Sequence, residues 1–206
     1  KSNKEAKLSS YSSLSKIYIS MHLVDVQTKR YHIIKMTDQV LEYLGKDFKI
    51  GEYEIRDDFC GHIKNIAEKM CVESQLQELL KFVDISTLEE RLLGENSIIH
   101  EFIDKISGWC RSRFIPVDYD ENGRLLHVLF CIQCIEEEKK CENRLIYLAR
   151  TDLMTGLCNR GSGEKRITEL LKEKTGGLLC LIDCDKFKSI NDTYGHLALT
   201  EVERRR

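Results

Sequence analysis

Three apolar runs in close succession, at residues 97–103, 109–117 and 125–135, constrain the fold of this 206-residue chain more than any other feature. Each is rich in Ile, Val, Leu and aromatic residues and is bounded by turn-forming residues, as strands are. Asp118-Tyr119-Asp120-Glu121-Asn122-Gly123 joins the last two runs, and an Asn-Gly pair between two strands is a hairpin signal. Pro116 is the only proline in the chain; lacking an N–H, it suits an edge or a strand end. The expected product is a three-stranded antiparallel meander with one face that other elements must cover.

Upstream, residues 17–26 read as a strand, Gln27-Thr28-Lys29-Arg30 as a polar turn and residues 31–34 as the returning strand. Residues 37–93 are helical in pattern. Val40, Leu41 and Leu44 precede Gly45, a helix stop; Ile63, Ile66, Ala67 and Met70 recur at three and four, as do Leu76, Leu79, Leu80 and Val83. Ser86-Thr87-Leu88-Glu89 has capping-box spacing, with Ser86 as N-cap, before a short helix ending at Gly94. Two strands, several helices and a meander make a small α+β domain over residues 16–135, preceded by a linker or helix end at 1–15. His22 and His32 fall on strands here. With Trp109 and Phe114 they are candidates to line a pocket for a small ligand or haem, although such side chains usually fill a core.

Composition narrows the function classes. The chain is 42% hydrophobic and 32% charged with a formal net charge of −2, which indicates a soluble globular protein without a general nucleic-acid-binding surface. No stretch approaches the roughly 18 apolar residues of a membrane span, and no signal peptide is visible. The nine cysteines form no regular framework. Cys131 and Cys134 have metal-like spacing, but they lie on one strand and face opposite sides. Free thiols in a reducing cytoplasm are the expectation. The first residue is Lys1, so a fragment of a longer chain is expected.

Residues 136–151 form a charged helix opening with Glu136-Glu137-Glu138-Lys139-Lys140. Cys134, Cys141, Leu145 and Leu148 fit alternating heptad core positions, with Glu138 as a polar interruption. Such a helix either lies on its own domain or pairs with a second copy in a parallel coiled coil; we expect the homodimer, because a helix joining two domains has few other surfaces to cover. Beyond it, an apolar run from Leu178 to Ile182 ends in two carboxylates, Asp183 and Asp185, followed by Lys188, Asn191 and His196 at spacings that suit a helix. A strand ending in carboxylates with a lysine nearby is suited to Mg²⁺ and nucleotide phosphates.

Asp152-Leu153-Met154-Thr155-Gly156-Leu157-Cys158-Asn159-Arg160, followed by Asp183-Cys184-Asp185-Lys186-Phe187-Lys188-Ser189-Ile190-Asn191-Asp192-Thr193-Tyr194-Gly195-His196, closely resembles the start of a GGDEF domain, the diguanylate cyclase catalytic fold. The upstream domain more loosely resembles a PAS domain joined by a signalling helix. That likeness rests on element order, on Gly108-Trp109-Cys110-Arg111-Ser112-Arg113-Phe114 and on the Asp120–Gly123 hairpin. The implied organisation is an α+β PAS-like domain, a linker helix and an incomplete α/β GGDEF (nucleotidyl cyclase-like) fragment at residues 152–206. By resemblance, Asp183 and the backbone carbonyl of Cys184 are Mg²⁺ ligands. Lys188 stabilises charge on the transferring phosphate, Asn191 and His196 contact GTP, and Asp185 fixes the loop.

After Gly195-His196 the family's pattern has a glycine and a guanine-contacting aspartate; here Leu199 and Thr200 stand in that region, and the Gly-Gly-Asp/Glu-Glu-Phe hairpin is missing. A truncated or frameshifted end is expected, in a chain that makes no cyclic di-GMP by itself. The expected role is the sensory and linker part of a bacterial diguanylate cyclase-like signalling protein whose intact form converts two GTP to cyclic di-GMP. The rival is a non-catalytic PAS-type dimerisation or ligand-binding module with a vestigial tail.

Overall fold

A computed structural model describes residues 17–45, 54–173, 177–180, 182–183, 185 and 187–194. The chain divides into two compact units, Lys1–Lys139 and Lys140–Arg206.

The first unit is built on a six-stranded, wholly antiparallel sheet. Its strands are β1 (Tyr18–Asp25), β2 (Tyr31–Met36), β3 (Ile55–Arg56), β4 (Ile98–Asp104), β5 (Gly108–Tyr119) and β6 (Leu125–Cys134). Their spatial order is β3-β2-β1-β6-β5-β4. The first strand therefore lies beside the last, pairing Met21 with Cys131 and Leu23 with Leu129. The expected meander is present with nearly the expected bounds, and the short edge strand β3 is an addition that its two residues do not announce. Pro116 sits beside a register shift in the β5–β6 ladder, where a missing donor is tolerated. At the hairpin Asp120 does most of the work: its carboxylate accepts from the N–H of Asn122 and of Arg124 at 2.8 Å. Gly123 takes φ +78°, the left-handed conformation that glycine adopts without strain.

Between β2 and β4 run α1 (Asp38–Leu44), α2 (Phe59–Met70), α3 (Glu73–Val83), a 3₁₀ turn (Ile85–Thr87) and α4 (Leu88–Arg91). The three-four apolar spacing places Ile63, Ala67 and Met70 of α2 and Leu79 and Val83 of α3 in one core with Val24, Phe102, Phe114, Val128 and Phe130 of the sheet. Phe59, Phe114 and Phe130 meet with ring centroids 4.7–6.2 Å apart, a spacing at which edge-to-face and tilted aromatic pairs attract. The predicted capping box is not formed. Asp84 is the capping side chain, accepting from Ser86 N–H at 2.9 Å; Thr87 precedes α4 without a side-chain cap, and the Glu89 carboxylate instead reaches Leu125 N–H on β6. A carboxylate immediately ahead of the turn outcompetes the serine because its charge is complementary to the exposed N–H groups.

In the second unit, α5 (Glu136–Arg150) begins on the first unit's side of the boundary and α6 (Arg160–Lys172) and α7 (Phe187–Tyr194) follow. The linker helix agrees with expectation except at Cys134, which ends β6 and donates its thiol to Ser107 O at 3.3 Å and so is no heptad position. The strand expected at 178–182 is absent at the described positions, 177–180 and 182. Leu178, Leu179 and Ile182 are 97%, 66% and 87% exposed, so none of the packing that would fix them as a strand surrounds them. Among the described residues from 140 onward none is buried.

His22 lies in the first unit's core, fully buried among the rings of Tyr31, Phe59, His62 and Phe130 at 5.7–6.1 Å. Burial, reinforced by nearby His62, Arg56 and His32, holds its pKa down to about 3; burial and then Arg56 bring His62 down to about 4. Both imidazoles are neutral in the fold, whereas an unfolded histidine titrates near 6.5. The unfolded state thus binds more protons below pH 6.5, and stability from these two groups is complete above that value and declines as pH falls toward 4. Urea midpoints measured between pH 7 and pH 4 should decrease, with a shallower decrease in His22→Phe; pH-independent midpoints would contradict the burial of these rings.

Candidate functional site

The residues singled out for phosphate and metal chemistry sit on the segment that leads into α7. Asp183 is exposed and lies outside regular secondary structure. Lys188 is exposed on the first turn of α7, and Asn191 lies one turn further along. Neither Asp183 nor Lys188 makes a hydrogen bond or ion pair with another described residue, so the two are brought near in sequence but not into contact. Asp185 is an exposed turn residue. Cys184 and His196 lie outside the described residues.

The preceding motif is fully built. Asp152 accepts from the N–H of Thr155 at 2.9 Å, from its hydroxyl at 2.9 Å and from Met154 N–H at 3.2 Å. These bonds hold its carboxyl below the usual range, the Thr155 N–H first among them in effect. Asp152 and Gly156–Leu157 close the loop through two backbone bonds of 2.8 Å, and Thr151 bridges Cys158. Asn159 then ties both helices together. Its amide donates to Ala149 O at 2.8 Å at the end of α5, and its carbonyl oxygen accepts from Ser162 N–H at 3.0 Å in the first turn of α6. Asp, Thr, Gly and Asn therefore make a rigid turn between helices. The cap signal, Asn before a helical run, was legible at Asn159 and its second bond to Ala149 was not.

A second polar assembly stands where β6 passes into α5. Gly108, at φ +72°, leaves room for the Glu136 side chain, with which any Cβ there would collide. The Glu136 carboxylate accepts from Trp109 N–H at 2.9 Å. Arg111 binds Glu101 at 2.6 Å and Glu138 at 3.2 Å, and Lys139 binds Glu101 at 2.7 Å while lying 5.3 Å from the Trp109 ring centroid. Lys139 first and Arg111 next keep the Glu101 carboxyl below its ordinary range. Glu138, read as a polar interruption in a helix seam, is an ion-pair partner of the sheet. Pairs this distant in sequence carry no local signal.

Of the four residues considered for a ligand pocket, His22 lines a cavity, whereas Phe114 is buried in the aromatic core. His32 faces away and bonds Glu54 O, and Trp109 belongs to the junction. The buried thiols are poor nucleophiles: burial pushes Cys131 up to about 12 and raises Cys110 and Cys71. No group of three or more His, Cys, Asp or Glu side chains among the described residues is placed to hold a metal ion, and none of the described helices is long and apolar enough to cross a membrane.

Residues 149–202 match the family described as "Diguanylate cyclase, GGDEF domain". The match runs six residues past His196. Over 182 residues, 83% of this chain, the sequence is 33% identical to the diguanylate cyclase DgcP of Pseudomonas aeruginosa, covering 26% of that protein. An uncharacterized signaling protein of Caulobacter vibrioides is 36% identical over 167 residues, 70% of this chain and 20% of the relative. The cyclic di-GMP phosphodiesterase PdeR of Escherichia coli is 38% identical over 65 residues, 31% of this chain and 10% of the relative. The chain thus spans between a tenth and about a quarter of the length of these relatives.

Asn159→Ala removes the α6 cap and the tie to α5 together. Loss of a cap costs about 1 kcal/mol, so amide exchange over residues 160–172 should accelerate several-fold while the protection of β1 and β6 stays unchanged. Unaltered exchange in α6 would show that the turn does not hold the helix.

Proposed function

We propose that this chain is the sensory and linker part of a bacterial cyclic di-GMP signalling protein of the diguanylate cyclase type. The observation that carries the reading is the GGDEF-family match over residues 149–202; within that span we assign Asp183 the role of a metal ligand and Lys188 that of a phosphate-stabilising cation. A PAS-like identity for residues 16–135 is supported by the sheet order, in which the first strand lies beside the last, and by the helices that cover one face. The 83% overlap with DgcP extends well upstream of residue 149, so the likeness to a diguanylate cyclase is not confined to the GGDEF match. A cytoplasmic setting, where GTP is available, belongs to this reading.

In the proposed reaction two GTP-loaded domains face each other. Each 3′-hydroxyl attacks the α-phosphate of the opposite nucleotide, forming a phosphodiester and releasing pyrophosphate. The donor chemistry at this end of the chain fits Mg²⁺: the Asp183 carboxylate, free of competing ion pairs among the described residues, and the Cys184 carbonyl are hard oxygens. Bound there, the ion would neutralise phosphate charge. Lys188 holds a cation beside the same phosphates, and Asn191 and His196 orient the nucleotide. Taken alone, the 206 residues are expected to make no cyclic di-GMP, because the family's guanine-contacting aspartate and signature hairpin are missing from this sequence. The exposure of Asp183 and Lys188 also favours the rival reading, a non-catalytic dimerisation or ligand-binding module.

In a protein that joins this chain to a complete catalytic domain, the two residues should fail differently. Asp183→Asn weakens Mg²⁺ binding and should be partly rescued by excess metal. Lys188→Ala should lower turnover roughly 100-fold, as loss of other preorganised electrostatic groups does, with no rescue by Mg²⁺. Near-normal rates in both variants would remove the site from the segment at Asp183.

The paired reaction needs two copies, and α5 supplies a surface for them. Leu145 and Leu148 are 62% and 38% exposed and, with Cys141, follow the four-three spacing of a parallel seam. Light scattering should give a homodimer for the chain and a monomer for Leu145→Asp. A monomeric wild type, or a dimer indifferent to the substitution, would exclude the helix as the interface.

A further inference from the structure

A cavity of about 40 Å³ lies in the first unit between the central strands and α2, lined by His22, Met36, Ala67, Met70, Leu79 and Phe130 among others. His22 is 0% exposed, and neither of its ring nitrogens meets a hydrogen-bond partner among the described residues. Such a group is costly to leave unsatisfied. A neutral imidazole offers one donor and one acceptor, and the rest of the wall around it is predominantly apolar. A single water needs roughly 10–15 Å³ of such space, so the cavity as it stands holds about three. Met36 and Met70, unbranched and adaptable, can yield further room. Asp104, the one acidic residue of the lining, has its Oδ1 engaged by the N–H groups of Ile106 and Ser107 at 2.9 and 2.7 Å. An anion would meet this carboxylate, and a cation would lose its hydration for a carboxylate already shared with the backbone.

We propose that this cavity is a binding site for a small neutral molecule, of about three to six non-hydrogen atoms on the volume argument, with an apolar body and one hydroxyl-type group that hydrogen-bonds to His22. The site deepens the sensory role given above to residues 16–135 and rests on that reading for its purpose, while binding itself is measured without reference to cyclic di-GMP.

The test is a titration of the full chain with 2-propanol, followed by NMR of the histidine rings and of the Ala67 and Met70 methyl groups. Saturable shifts at His22, Ala67 and Met70 are expected. His22→Phe keeps the ring volume and removes the hydrogen bond, and should weaken binding roughly tenfold. Ala67→Leu fills the space from the opposite wall and should abolish the response with His22 intact. A cavity that holds only water gives no saturable shift, and that result overturns the proposal; so does equal affinity in either variant. Saturable binding with no change in cyclic di-GMP output from the longer protein would keep the site and remove its sensory role.

Discussion

Pairing of β1 with β6 is the contact on which the first unit depends. It joins residues more than a hundred positions apart, Met21 with Cys131 and Val24 with Val128, so its loop-closure entropy is met only once the intervening chain has folded. Both strands are central and are buried on both sides: Val24, Val128 and Phe130 enter the main core, while Met21, Leu129 and Cys131 form a smaller apolar cluster. Remove that pairing and the sheet separates into β3-β2-β1 and a meander, neither of which can cover α2 and α3. His22 faces Phe130 directly across the same ladder. The cavity wall and the sheet's central seam are therefore the same residues.

The seam also sets where the linker helix begins. β6 ends at Cys134 and α5 starts at Glu136, leaving Ile135 as the whole connection. Ile135 is itself buried, and its N–H binds Trp109 O at 2.8 Å. Glu136, Glu138 and Lys139 then bind β4 and β5 within the first turn of the helix. Isolated surface pairs contribute little, but this is a connected set of partly shielded groups in which Glu101 accepts from two cations at once. β6 therefore passes into the first turn of α5 through one buried residue.

How much of this was legible in sequence follows from how local each signal is. The long strands and amphipathic helices were readable because their apolar periods are local and strong, and five of six strands fell where the pattern put them. The capping box at Ser86 misled because the motif records spacing alone, and Asp84, two residues outside it, carries a full charge. Strand 178–182 misled in another way. An apolar run states what a segment would bury, and strand geometry also requires a hydrogen-bonding neighbour. The roles of Glu101, Arg111 and Lys139 depend on partners 10 to 38 residues apart, and no short motif encodes those. His22 was visible as a histidine on a strand; that both its nitrogens go unmet depends on side chains from α2 and β6.

The contrast between the two units bears on where activity can reside. A catalytic carboxylate and lysine must be held to within about half an ångström by neighbours that are themselves locked. Around His22 that condition is met: it is enclosed by four rings. At Asp183 it is not met among the described residues, because Ile182 beside it is almost fully exposed. The turn at Asp152–Asn159 is nonetheless built, with the side chains of Asp152, Thr155 and Asn159 all hydrogen-bonded. It fixes the geometry with which α5 hands over to α6 before any packing of residues 177–194 is required. The turn that joins α5 to α6 is thus organised by local bonds, whereas Leu178, Leu179 and Ile182, ahead of α7, leave their apolar side chains exposed.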